Sequence, residues 1–250
     1  MTSSFHKICK DVLLVAMAVT VGAVSIAHAQ SRQSAVEQEI INSEAFLSSH
    51  PDLMNRMRGM QALERGEPER AAIYFKRAAW YADKQAQAIY AEMLWDGRGV
   101  PQDRSAAYAW MDLAAERQYK LILRFRERYW SALSETERQR ALEVGRQVYA
   151  EYGDEIAQPR LEKVLRRAAR NVTGSRTGFV GALTIVIPGP GEGTVIDGST
   201  FYDKRYWEPA QYWKWQKEVV EGVKEGKVIV GDLLKTREKI PAEKPVDPVD

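Results

Sequence analysis

Cysteine and histidine are nearly missing from this chain: Cys9 stands alone, and the histidines are His6, His28 and His50. A single cysteine excludes an internal disulfide. Once the N-terminal segment considered below is removed, no cysteine and only His50 remain. Cys/His zinc coordination and a thiol nucleophile are then excluded, and one imidazole is left for acid–base work. Net charge is scarce too. Thirty-six Lys and Arg against 34 Asp and Glu give +2 at pH 7, so composition makes no case for a nucleic-acid partner. After residue 30 no apolar run approaches the roughly 20 residues of a spanning helix. No membrane span is therefore expected after cleavage, and no metal, cofactor or catalytic residue is expected either.

The first 29 residues read as a secretory signal. Lys7 and Lys10 form a basic start, Val12 to Ile26 an apolar run, and Ala27-His28-Ala29 a small-x-small site before Gln30. Cys9 precedes the apolar run, so it is not a lipoprotein cysteine. The expected location is outside the cytoplasm, the periplasm first and full secretion second.

Glycine and proline are sparse from residue 30 to 170, and apolar residues fall at three-and-four spacing, which predicts helices. Punctuation at Ser49-His50-Pro51, Gly66-Glu67-Pro68, Gly97 to Pro101 and Ser134 to Glu137 divides them into about seven or eight. Ser134-Glu135-Thr136-Glu137 has the form of a capping box. Glycines then crowd in from 174 to 193 around β-branched runs at Phe179–Ile187 and Thr194–Phe201, with another at Lys227–Val230. An aromatic helix is predicted from Pro209 to about Val223. Residues 171–238 therefore read as a small α+β module, and 239–250, with three prolines among charges, as a disordered tail.

An internal repeat carries the strongest signal. Ala71, Tyr74, Ala78 and Ala79 recur 36 residues later as Ala107, Trp110, Ala114 and Ala115. Ala62-Leu63-x-x-Gly66 recurs as Met93-Leu94-x-x-Gly97, which gives the second copy a longer loop. Small residues at fixed places let helices approach closely, and a single pair cannot bury its apolar stripe alone. One step further on stand Glu143, Arg146, Ala150 and Glu151, where the pattern has lapsed.

Ala86-Gln87, the Gly97-Arg98-Gly99-Val100-Pro101-Gln102-Asp103 loop and Ala107-x-x-Trp110-x-x-x-Ala114-Ala115 closely resemble the Sel1-like repeat. That family is a longer-looped relative of the tetratricopeptide repeat. The resemblance covers roughly residues 51–118 and implies a short α-solenoid of antiparallel helix pairs used for protein–protein contact. The sequence departs from the family at Tyr90-Ala91 and Leu94, and at Ala82 and Gln118, where glycines usually follow the alanine pairs.

The other candidates have plainer readings. Neither Gly97–Val100 nor Gly189–Gly193 has the lysine and serine or threonine of a phosphate loop. His50 reads as a surface or capping residue. Arg160, Lys163, Arg166, Arg167 and Arg170 form the wet face of an amphipathic helix. If Ala86, Tyr90 and Leu94 point inward, then Gln85, Ile89, Glu92 and Asp96 form the opposite stripe and are the groove candidates. In the aromatic cluster, Tyr212, Val219 and Val223 are expected to pack on the last helices of the array. Trp207, Trp213 and Trp215 are the rim candidates, as a cap or as a platform for a glycan. The leading reading is an exported, non-enzymatic scaffold for an unidentified protein partner. The alternative is an envelope-binding protein that engages peptidoglycan or another glycan.

Overall fold

The computed structural model describes residues 35–171, 183–188 and 193–222. The signal segment, the Lys227–Val230 run and the 239–250 tail lie outside these residues. Helix α1 spans 35–42. After it come α2 (Glu44–Leu47), α3 (Pro51–Glu64), α4 (Pro68–Ala79), α5 (Lys84–Asp96) and α6 (Arg104–Ala114). A 3-10 turn at Ala115–Arg117 leads into α7 (Lys120–Ala132), α8 (Glu135–Tyr152) and α9 (Asp154–Asn171).

Local chemistry sets these boundaries. Pro51 and Pro68 open α3 and α4 at the first turn, where a missing N–H costs nothing. Asp83 and Asp103 cap α5 and α6, each accepting from the backbone N–H three residues on, at 2.9 and 3.0 Å. The capping box forms as expected: Ser134 Oγ accepts from Glu137 N, and Glu137 reaches back to Ser134 N at 2.8 Å.

Helices α3 and α4 pack as one hairpin and α5 and α6 as a second, with α4 against α5 joining them. The alanines do what the repeat requires. Ala62, Ala71, Ala78, Ala79, Ala86, Ala107 and Ala114 are fully buried, so the helix backbones approach closely. Trp110 fills the space beside Ala107, its ring centroid 4.8 Å from Tyr90 and 4.6 Å from Tyr152.

The repeat ends after α6. Helices α7 and α8 both pack on α6 and make little contact with each other. The lapsed pattern at Glu143–Glu151 is the sequence counterpart of that change. Helix α9 follows a turn at Gly153 and buries Leu161 and Leu165, while Lys163, Arg166, Arg167 and Arg170 stay exposed.

The C-terminal module begins with an antiparallel hairpin, β1 (Thr184–Ile187) and β2 (Thr194–Asp197), in which Val186 faces Val195. The second strand is shorter than its sequence suggests. Asp197 accepts from Ser199 N at 2.7 Å and starts helix α10 (Gly198–Phe201), so the segment turns helical halfway along. Helices α11 (Lys204–Trp207) and α12 (Pro209–Gly222) complete the described part. The module packs on α9, the last helix of the helical half, as the sequence predicts for a cap, and it also packs on the start of the chain, which the sequence did not predict. Ile196, Phe201, Tyr206, Trp207, Tyr212 and Trp215 share one core with Ile40, Phe46, Leu47 and Leu53 at the start of the chain and with Leu161 and Leu165 of α9. Residue Val219 is exposed, and α12 buries Tyr212, Trp215 and Gln216 instead, with Val220 turned toward the α6 core. The reason is helical phase: the apolar stripe follows the tryptophans, and it meets the chain's beginning.

Candidate functional site

The groove candidates lie on α5. Gln85, Ile89 and Glu92 are half-buried and Asp96 is exposed. Ile89 rests against the alanine core of the first hairpin, so it is partly packing and partly surface. Burial raises the Glu92 carboxyl above its ordinary range, and the charge of Asp96 adds to this, against the opposing Arg98. Beside them the Tyr129 phenol is pushed up by burial and by the same two carboxylates. Its ring stacks on Trp95, centroids 4.0 Å apart, with the Arg104 guanidinium 4.5 Å above Trp95. The stripe thus offers one apolar side chain between polar and acidic ones. Among the described residues no cluster of His, Cys, Asp and Glu could hold a metal ion. No helix among them is long and apolar enough to cross a membrane.

Two of the three rim candidates are not at a rim. Trp207 and Trp215 are 6% and 7% exposed. Trp207 donates its indole N–H to Phe201 O at 2.8 Å and packs edge-on to Phe46. Trp215 is wedged between Tyr206 and Tyr212. Only Trp213 is half-exposed. One of its contacts is the Arg117 guanidinium 4.6 Å from the ring centroid, and its N–H donates to Glu162 at 3.2 Å. The three rings make no common platform, because the aromatic stripe was needed to build a core.

His50 is likewise neither a surface residue nor a side-chain cap. It is fully buried, and its ring stacks on Phe46 with centroids 3.8 Å apart. Nδ1 lies 2.8 Å from Phe46 O, and Nε2 lies 2.9 Å from Tyr206 O in the C-terminal module. Burial pushes the imidazole down to about 4, although both carbonyls favour its charged form.

Sequence reasoning missed the buried charges around the turns. Lys84, almost wholly buried, donates to Leu113 O at 3.1 Å and pairs with Glu116 and Asp154 at 2.6 and 3.0 Å. Arg117 grips Asp154 with two bonds of 2.7 and 2.8 Å. Arg56 grips both oxygens of Asp83 at 3.0 and 2.8 Å. These residues lie on different elements, and no local spacing announces them.

The glycine loop of the second repeat explains itself. Gly97 ends α5 in the left-handed region at φ 67°. Gly99, at φ 71°, lies so close to Pro68 that an added Cβ would sit 2.3 Å from its carbonyl carbon. Gln102 Nε2 donates to Trp95 O at 2.8 Å and closes the loop. No protein-family model matches the chain, and no curated protein matches it. Among solved structures it is similar to a protective antigen present in uropathogenic Escherichia coli strains that displays an SLR fold. The identity is 27%, over 45% of this chain and 25% of that one, with a TM-score of 0.39. That likeness is to a Sel1-like repeat fold. The match spans a quarter of that protein's length, and the Sel1-like architecture here rests on the two stacked hairpins and their glycine loop. The loop's packing on Pro68 is the physical content of its G-x-G pattern: no side chain fits at the second glycine.

Proposed function

We propose that the chain is an exported, non-enzymatic scaffold that binds a protein partner along the outward stripe of α5. The observation that carries this is the pair Glu92 and Asp96. They are neighbouring carboxylates, one of them half-buried, and neither has an ion pair with any described residue. They share their stripe with the partly open Ile89. A stack of helix pairs that presents a partly apolar stripe with two carboxylates, opposed by Arg98 but held in no ion pair among the described residues, suits recognition of a protein surface.

A photo-crosslinker at Gln85, introduced into the protein in its native host, tests the site. Capture of a discrete partner is expected, and the double variant Glu92→Lys, Asp96→Lys should abolish it without changing the melting temperature. Capture that is unaffected by the double charge reversal overturns the stripe as the site. Export is tested separately by mass spectrometry of the protein outside the cytoplasm, where a chain beginning at Gln30 is expected and an intact Met1 species is the contrary result.

A further inference from the structure

His50 stands between α2 and the first repeat helix, fully buried against the C-terminal module. Its ring lies face to face with Phe46, edge-on to Trp207 at 5.0 Å and tilted against Tyr212 at 5.5 Å. One ring nitrogen meets the carbonyl of Phe46 in α2, and the other meets the carbonyl of Tyr206 in α11, at 2.8 and 2.9 Å.

A carbonyl oxygen only accepts. A neutral imidazole has one N–H and one bare nitrogen, and the bare nitrogen accepts as well. In either tautomer, two acceptors would therefore face each other at hydrogen-bond distance, sealed from water, with no proton between them. A donor at both nitrogens exists only in the charged ring.

We propose that His50 is a buried imidazolium that donates from both ring nitrogens at once, a single cation that staples α2 to α11 and makes the fold firmer in acid than in alkali. Burial works the other way and lowers the imidazole toward about 4. The neutral ring escapes that cost only by setting a lone pair against a carbonyl. It also gives up one of two charge-assisted hydrogen bonds and the attraction of the stacked Phe46 face for a cation.

The other ionisable groups around the ring are engaged elsewhere. From α3 come Asp52, which accepts from the Tyr212 hydroxyl, and Arg56, which is held by both oxygens of Asp83. From α11, Lys204 turns to Glu208, Arg205 turns to Glu37 and Asp203, and the Tyr206 phenol donates to Glu37. From α12 comes the Tyr212 phenol, which burial and Asp52 push well up and keep neutral. Glu44 of α2 is exposed. Asp52, raised to about 7 by burial and then by Asp83, is itself more stabilising in acid. A comparison with a His50 variant therefore isolates the ring. An unfolded imidazole titrates near 6.5. A folded ring that stays charged has a higher value, so its contribution is complete below about 6.5 and is lost as pH rises through the folded value.

The test uses the full-length protein, which has three histidines. With nitrogen-labelled histidine, His50→Gln identifies the His50 resonances by their loss. If that variant fails to fold, His6→Gln and His28→Gln identify them by elimination. At pH 7 both His50 ring nitrogens are expected to carry protons, and a bare nitrogen overturns the proposal. Urea unfolding from pH 6.5 to 8.5 gives a second reading. The folding constant of wild type should fall relative to that of His50→Gln, by up to about tenfold for each pH unit between the unfolded and folded values. A neutral ring gives a gap that stays constant over that range, and a constant gap overturns the staple.

Discussion

Arg117, in the turn after α6, holds Asp154 with two hydrogen bonds and covers the face of Trp213 with the same guanidinium. One side chain thus joins the second repeat to the turn that starts α9 and to α12. Lys84 is the other cation on Asp154. Replacing Asp154 with asparagine leaves two buried cations short of their anion, and breaking such a pair costs about 3–5 kcal/mol. Denaturant unfolding at pH 7 measures it. A loss under about 1 kcal/mol would mean that Glu116 and water serve the cations equally well.

The same carboxylate predicts a pH dependence. Burial pushes Asp154 up, but the Arg117 bonds and charge, with Lys84, outweigh it and hold the group below the ordinary carboxylate range. A lowered carboxyl contributes stability above its unfolded value, and that contribution is lost as pH falls through the folded one. The gap between wild type and Asp154→Asn should therefore be constant from pH 7 to pH 5 and shrink below about pH 4. A gap that widens in acid contradicts the pairing.

Trp110 sits between α5 of its own hairpin and the end of α8, 5% exposed and in contact with Tyr90 and Tyr152. Trp110→Ala is expected to cost about 3–5 kcal/mol. A melting temperature within a degree or two of wild type would contradict that packing.

Gln118 has the left-handed backbone of a glycine, φ 59°, and an exposed side chain. A non-glycine residue there costs about 1 kcal/mol or more, partly offset by the entropy glycine adds to the unfolded chain. Gln118→Gly should raise stability by roughly 0.5 kcal/mol. Thermal unfolding decides, and a clear loss would mean that the glutamine side chain holds the turn.

Removing residues 183–222 should uncover Phe46, Leu53, Leu161 and Leu165, which lose their partners together. Aggregation or a broadened unfolding transition is expected of the shortened chain. A soluble, sharply folding remnant would show that the module is a separate unit.

The repeat was legible because its alanines and its glycine loop obey local rules. Ala71 and Ala107, or Gly97 and Gly99, say what they do from spacing alone. At Ala82 and Gln118 the sequence departs from the family's glycines, yet the backbone keeps the glycine conformation at φ 63° and 59°. The residue there is not glycine, and the turn geometry is the one glycine favours. The aromatic module was legible as an element and illegible as a site. Whether Trp207, Trp213 and Trp215 face water depends on what covers them, and that cover includes other elements: Phe46 on Trp207, and Arg117 and Glu162 on Trp213. His50 failed for the same reason: its second carbonyl belongs to Tyr206. Buried ion pairs such as Arg56–Asp83 join the body of one helix to the cap of another, a pairing that periodicity does not order.

The meeting of the module with the chain's beginning changes how the protein must fold. In an open stack of repeats each unit can settle against its neighbour as soon as that neighbour exists. Here Phe46 and His50 wait for Tyr206 and Trp207, some 160 residues later in synthesis. Contacts of such long sequence separation form late and slowly. The first helices therefore leave the ribosome without a finished core, and the last aromatic helix completes the first one.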